Sequence, residues 1–374
     1  MPRPMSASAP QFPTPLRPLQ LGGLSLAMPA VQAALSGYSD GAMRRAARHQ
    51  GAPYALHEVV LDREVLVRGR AVRHLLAVEE DDHPIGGQLM GSEPETFALA
   101  ARDLVAAGYD VIDLNFGCPV PKVLGRCRGG FLLSTPETAL AVVDAVLDAV
   151  GDSRPVTVKM RRGLDDSLDS ERAFFRILEG AFARGIAAAT VHPRTVVQRY
   201  IGPSDWSFLA RVRAAIGDRT LLGSGDLFDP WAVLRMIEAT GVDGVTVARG
   251  AIGNPWIFRQ VIDLLAGRTP SAPTIGEQRE VIAAHVADSL RLHGPRRGFT
   301  RARTHLIRYA ATHPDHVAVR DAFVAVRDGA DIEVVLARHY PPERSSERSA
   351  LLEANRLGAQ HVRDDGGLIG CDAS

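Results

Sequence analysis

Eight short apolar runs alternating with helical segments constrain this chain more than any other feature. The runs are AVQAAL (30–35), YALHEVV (54–60), PIGGQLM (84–90) and DVIDLNF (110–116), then PVTVKM (155–160), AAATVH (187–192), RTLLGS (219–224) and GVTVAR (244–249). Amphipathic stretches such as EPETFALAARDLVAAG (93–108) and TPETALAVVDAVLDAV (135–150) lie between them. Glu93 and Glu95 fall at the start of the first of these and Gly108 at its end, as helix start and stop signals require. Strands rich in apolar residues that alternate with helices predict a parallel sheet closed into a (β/α)8 barrel, with an open doubly wound sheet as the competing arrangement. LQLGGLSL, ahead of the first run, reads as a small hairpin around Gly22 and Gly23.

The pattern changes after the Pro/Gly/Ser-containing stretch 264–277. Residues 278–338 carry helical periodicity and no strand pattern, which predicts a second, all-α unit. The expected organisation is a Pro- and Ser-rich tail over 1–17, a barrel over 18–266, a helical domain over 276–340 and a polar tail over 341–374. The N-terminal segment lacks the apolar core of a signal peptide, and no apolar run is long enough to span a bilayer. Three cysteines with no C-x-x-C pair exclude a disulfide framework and give no zinc spacing, so no metal is expected and the thiols read as reduced and cytoplasmic. Nothing in the pattern demands more than a monomer. Net charge is zero, yet the segment 291–308 holds six arginines and no carboxylate. A solvated helix face mixes signs, so this run is a candidate nucleic-acid surface, with Arg297 and Arg301 among its phosphate contacts.

In a (β/α)8 barrel the functional groups stand at the C-terminal ends of the strands. Those positions here hold Glu58, Gln88, Asn115 with Cys118, Lys159, His192, Gly223 to Asp226, and Arg249. Cys118 could serve as a nucleophile, a metal ligand or a proton donor; no His or Cys at metal spacing supports the ligand, and a thiol with an ordinary pKa of about 8.5 is suitably protonated at neutral pH to donate, with a small buried hydrophobe as the plainer alternative. Cys127, in an Arg/Gly loop, reads as structural and Cys371 as incidental. The Gly-rich ends of the seventh and eighth strands offer backbone N–H groups to a phosphate through Gly223, Gly225, Ala248 and Arg249. Lys159 and His192, ending the fifth and sixth strands, suit a flavin mononucleotide. Lys159 and Lys122 are the chain's only lysines.

IDLNFGCPVPKV, QLMGSEP, VTVKMRRG, VHPRTVVQRYIGPSDW and ARGAIGNPWIF, in this order along the chain, resemble the motifs of the tRNA-dihydrouridine synthases. The resemblance covers about residues 19–340. It implies an FMN-binding barrel followed by a tRNA-gripping helical domain, and reduction of the C5=C6 bond of a uridine in tRNA with NADPH as reductant. By this resemblance Cys118 is the general acid to C5 and Asn115 holds the uracil edge. Gln88, Lys159 and His192 contact the flavin or its phosphate arm, while Gly225, Asp226, Ala248 and Arg249 hold the phosphate. Arg194 and Lys122 lie toward the substrate.

The chain departs from the family pattern at four places. Ala33-Ala34-Leu35 stands where Ala-Pro-Met is usual, Ser224 where Asn is usual, Ala248 where Gly is usual, and Pro193 where Gly is usual. These changes bear on the flavin pocket rather than on the acid, the lysine or the histidine. Two other functions fit parts of the pattern: an FMN barrel acting on a free dihydropyrimidine, which needs no basic helical domain, and a non-catalytic RNA-binding paralogue.

Overall fold

A computed structural model describes residues 18–350 and Leu352; the expected tail over 1–17 and Cys371 lie outside the described residues. The eight barrel strands are β1 (Ala30–Gln32), β2 (Ala55–Leu56, resuming as Val60–Leu61), β3 (Ile85–Met90) and β4 (Val111–Phe116), followed by β5 (Val156–Arg161), β6 (Ala188–His192), β7 (Leu221–Ser224) and β8 (Gly244–Val247). All pair in parallel, and the ring closes through Thr246 beside Val31, Gln32 beside Ala55, and Ala55 beside Ile85. Closure removes every edge from the sheet, which decides against the open doubly wound arrangement.

Three boundaries differ from the sequence expectation. The run 54–60 breaks at His57, whose N–H still donates to Gly86 O across 2.9 Å; the ladder resumes only at Val60 beside Leu89. β1 ends at Gln32, so Ala33 and Ala34 belong to the following loop. β8 ends at Val247 because Ala248, at φ −102° and ψ −101°, turns the chain into a 3-10 turn at Arg249–Ala251.

Strand alternation sorts the side chains. In β4 Ile112, Leu114 and Phe116 point outward into the main core, where they join Phe97 and Leu104 of the helix Pro94–Ala106. Val111, Asp113 and Asn115 point inward. The hairpin Leu19–Leu21 and Leu24–Leu26 closes the floor of the barrel: Leu19, Leu21 and Leu26 form one buried cluster with Val31, Tyr54, Leu56 and Val111. Replacing one of these buried leucines by alanine costs about 2–5 kcal/mol.

A separate core, containing Trp256, Ile282, Leu306, Tyr309, Phe323 and Tyr340, organises the C-terminal helices. The segment Ile275–Tyr309 starts with a capping box, in which Glu277 N–H donates to Thr274 Oγ1 (3.1 Å) and Thr274 N–H to the Glu277 carboxylate (2.7 Å). It breaks at Gly294 (φ 74°) and Pro295. The two arms fold back as a helical hairpin, and Gly298 lets them touch: a Cβ there would come within 2.7 Å of Leu290 Cα. Helices His316–Ala325 and Gly329–His339 complete the unit. The start of the polar C-terminal stretch docks back, with Ile275 N–H on Glu347 O (2.9 Å) and Gly276 N–H on Ser345 O (3.0 Å). No helix among the described residues is long and apolar enough to cross a membrane.

Candidate active site

An open cleft lies at the C-terminal ends of the strands, and nine of the residues singled out from sequence line it: Gln88, Asn115, Cys118, Lys159, His192, Gly225, Asp226, Ala248 and Arg249. Register explains the assembly. Gln88 sits beside Asp113, Asn115 beside Lys159, and Arg161 beside His192, so inward-facing positions of β3 to β6 converge.

The polar groups form a relay climbing the barrel interior. Thr157 Oγ1 donates to Asp113 Oδ1 (2.6 Å) and Gln88 Nε2 to Asp113 Oδ2 (2.7 Å). Asn115 Nδ2 donates to Gln88 Oε1 (2.7 Å), and Gly117 N–H donates to Asn115 Oδ1 (2.9 Å). The chain of bonds fixes both amides: Gln88 must turn its oxygen to Asn115, leaving Asn115 one N–H for the cleft. Burial lifts the Asp113 carboxyl to about 6, against the pull of its Thr157 and Gln88 bonds. Burial and the nearby Arg161 draw the Lys159 ammonium down to about 8, while Asp113 and Cys118 oppose the drop. His192 is kept neutral by burial first, then by Arg161, Lys159, Arg194 and Arg249. Its Nε2 lies 3.4 Å from Arg194 Nη1, which places a lone pair there and the ring proton on Nδ1.

Cys118 is half-buried, in the loop after β4, and its carbonyl accepts from Gly130 N–H (3.0 Å). Gly129, at φ 57°, makes room for it, since a Cβ there would stand 2.8 Å from Cys118 Cβ. At the opposite wall Gly225 has φ 112°, and a Cβ would come within 3.0 Å of His192 Cδ2 and run into Ser204 Oγ. Thr246 Oγ1, also in the cleft wall, is buried without a hydrogen-bond partner among the described residues.

Four predicted residues lie elsewhere. Arg194 is buried behind the wall, donating to both Asp226 carboxylate oxygens (2.8 and 2.6 Å) and to Gly202 O; it orders the loop that carries Asp226 and does not line the cleft. Lys122 is exposed on the short turn Pro121–Leu124, outside the cleft. Arg297 is exposed and makes no ion pair among the described residues. Arg301 is instead committed within the molecule, 3.1 Å from Glu58 Oε2 and 3.6 Å from Asp40 Oδ2. The run 291–308 is therefore less basic than its own composition suggests, because Arg291 likewise pairs with Glu79 and Asp288. Glu58, too, turns to Arg301 and not into the cleft.

Sequence reasoning missed Arg161, Tyr200 and Phe228, all in the cleft wall. The Arg161 guanidinium holds the carbonyls of Gly117 (3.0 Å) and Thr195 (2.9 Å) and stacks over Tyr200 at 5.2 Å. Arg249 covers the Tyr200 ring at 4.8 Å and Phe228 at 5.2 Å. Alternation from Lys159 marks Arg161 as inward-facing; no sequence pattern marks the two aromatics. The arrangement is an electropositive cleft with flat aromatic and guanidinium surfaces, glycine-lined at one end and carrying a thiol at the other.

The dihydrouridine synthase (Dus) family model matches residues 31–340. A Mycobacterium tuberculosis protein named "Probable tRNA-dihydrouridine synthase" is 34% identical over 330 residues, 86% of this chain and 84% of that protein. A Rickettsia conorii protein of the same name is 31% identical over 341 residues, 91% and 99% of the two chains. Among solved structures, histamine dehydrogenase from Rhizobium sp. 4-9 shares the fold at a TM-score of 0.54 and 14% identity, over 73% of this chain and 50% of that one. Morphinone reductase does so at 0.51 and 15%, over 67% and 91%. The match across nearly the whole barrel and helical unit means that the chain belongs to the dihydrouridine synthase family and is an oxidoreductase.

Proposed function

We propose that the chain is a tRNA-dihydrouridine synthase, reducing the C5=C6 bond of a uridine in tRNA to 5,6-dihydrouridine with FMN as cofactor, NADPH as reductant and Cys118 as the acid. The observation that carries this reading is that Cys118, Lys159 and the amide of Asn115 line one electropositive cleft at the mouth of a closed barrel. The relatives named as tRNA-dihydrouridine synthases support the substrate.

The cleft fits FMN. Thr246 Oγ1 is a buried hydroxyl in want of a partner, Gly225 leaves space that a side chain would fill, and Lys159, Arg161 and Arg249 supply positive charge. Gly225, Ala248 and Arg249 would hold the phosphate, and Gln88, Lys159 and the Nδ1–H of His192 the ring and its arm. When bound, FMN supplies the hydride that adds at C6, and NADPH restores it.

Cys118 Sγ–H delivers the proton to C5, so that the base gains two hydrogens in total and the thiol becomes a thiolate. Lys159, electrostatically coupled to Cys118, stabilises that thiolate until solvent reprotonates it. Asn115, oriented by Gln88 and Gly117, offers its remaining N–H to a uracil carbonyl. Arg194 and Asp226 keep the opposite loop in place. The base must leave its stack to enter the cleft, with exposed Arg297 and Lys122 available to tRNA phosphates.

The test is to incubate the flavin-loaded protein and NADPH with unmodified tRNA and, separately, with free uridine, and to digest and analyse the nucleosides by mass spectrometry. Dihydrouridine from tRNA and none from uridine is expected. Reduction of the free base alone would point to the dihydropyrimidine-type activity.

A further inference from the structure

A second cluster of chemistry-bearing side chains lies at the seam between the barrel and the helical hairpin. Asp40 is the N-cap of the helix Gly41–His49, in the loop after β1. His285 comes from the first arm of the hairpin and His305 from the second. One donor atom of each lies within 4.8 Å of those of the other two, and Asp40 is 3% exposed and each histidine 2%. His285 Nε2 and His305 Nδ1 are both buried with no hydrogen-bond partner among the described residues. A buried ring nitrogen without a partner forfeits its bond to water for nothing in return, and here two such nitrogens share a site with a carboxylate.

We propose that Asp40, His285 and His305 form a binding site for a divalent cation of the zinc class, which clamps the first strand-to-helix loop of the barrel to the helical hairpin. Two imidazoles and a carboxylate are ligands that suit zinc. Ligand distances of roughly 2.0–2.2 Å put tetrahedral donors about 3.4 Å apart, so small side-chain rotations close the observed cluster around an ion. The outer partners are already in place. The Tyr309 hydroxyl sits 3.0 Å from His285 Nδ1; in the tautomer where Nδ1–H donates to it, the Nε2 lone pair is left for the metal, the arrangement in which outer partners hold metal-bound histidines. Met43 N–H donates to Asp40 Oδ1 (3.1 Å), and His293 Nε2 lies 2.9 Å from Asp40 Oδ2. A cavity of about 240 Å³ between Gly41–His49 and the first hairpin arm reaches His285; its wall holds Glu280 and the ion pair of Arg45 with Asp288 (2.6 Å). Water completes the fourth position.

The site is separate from the catalytic cleft but touches it through the chain. Leu35, Ser36 and Tyr38, in the loop that ends at Asp40, line the cleft wall. Holding Asp40 to both hairpin arms fixes this wall against the helical unit.

The full-length chain, freed of any polyhistidine tag, is stripped with EDTA and titrated with Zn²⁺ alone. Metal content is read by inductively coupled plasma mass spectrometry and stability by thermal unfolding, with His285→Gln and His305→Gln in parallel. The expected result is one zinc retained per wild-type chain and a rise in Tm on adding zinc to stripped protein. Both variants should lose the ion and the rise while keeping flavin. Wild-type protein that retains no stoichiometric zinc and shows no zinc-dependent Tm overturns the site. Variants that bind zinc as the wild type does overturn it equally, since the ion would then sit elsewhere, as on thiols. Should either variant fail to fold, the wild-type titration and the other variant still decide.

Discussion

Asn115 Nδ2 donates to Gln88 Oε1 across 2.7 Å, and Gln88 in turn donates to Asp113 at 2.7 Å, so the amide that faces the cleft takes its orientation from a carboxyl group in the barrel interior. Truncating Asn115 removes the partner of the buried Gln88 Oε1 and of the partly buried Gly117 N–H. Asn115→Ala is expected to lose about 1–3 kcal/mol of stability. It should also raise KM for tRNA more than a surface substitution of equal stability cost. Urea unfolding and steady-state kinetics on the same preparation check both.

Asp226 balances the almost fully buried Arg194. Asp226→Ala leaves that guanidinium unpaired, which costs about 3–5 kcal/mol, and also strains a non-glycine residue at φ 56°. Asp226→Asn keeps one acceptor and tolerates the left-handed conformation, so its loss is expected to be smaller. Thermal unfolding and flavin content of the two variants should fall in that order.

His192 gives the fold an acid sensitivity. Its folded pKa lies well below the ordinary 6.5, so below about pH 6.5 the unfolded chain takes up a proton that the folded chain refuses. Stability therefore falls as pH drops, by up to about 1.4 kcal/mol per pH unit from this one group. His192→Gln is expected to flatten the decline between about pH 6.5 and 5 by that amount, measured as urea midpoints across the range.

Two arginines of one basic run should behave differently. Arg297 is exposed and unpaired among the described residues, so Arg297→Glu is expected to weaken tRNA binding about tenfold or more and to lower its salt dependence, with little change in Tm. Arg301 is held by Glu58 and Asp40. Arg301→Glu places three carboxylates together and is expected to lower Tm first. Filter binding at two salt concentrations, beside thermal unfolding, separates these outcomes.

The barrel was legible because buried parallel strands are apolar on both faces and their loops are rich in Gly and Pro. Its inward positions were legible too, since Gln88, Asn115, Lys159 and His192 are polar residues at or near the C-terminal end of an apolar run. The interruption at His57 was not, because YALHEVV is apolar enough to read as one strand and the break depends on how β2 meets β3. The charge balance of 291–308 is not legible in the segment for a related reason. The carboxylates that neutralise Arg291 and Arg301 come mainly from the barrel, far away in the chain, and a window on one segment does not contain them. Asp40, His285 and His305 escaped notice likewise: only the folding of the hairpin against the first barrel loop brings them together.

The proposed role of Cys118, protonation of C5 beside bound flavin, is open to direct test. The most direct measurement is the rate of dihydrouridine formation in tRNA, by mass spectrometry in a single turnover of pre-reduced enzyme, for wild type and Cys118→Ala with flavin content matched. A loss of about 100-fold or more in the variant is expected, the range for removing a general acid, with flavin spectrum and tRNA affinity retained. Equal rates in the two proteins would contradict the assignment and move the acid to another group in the cleft.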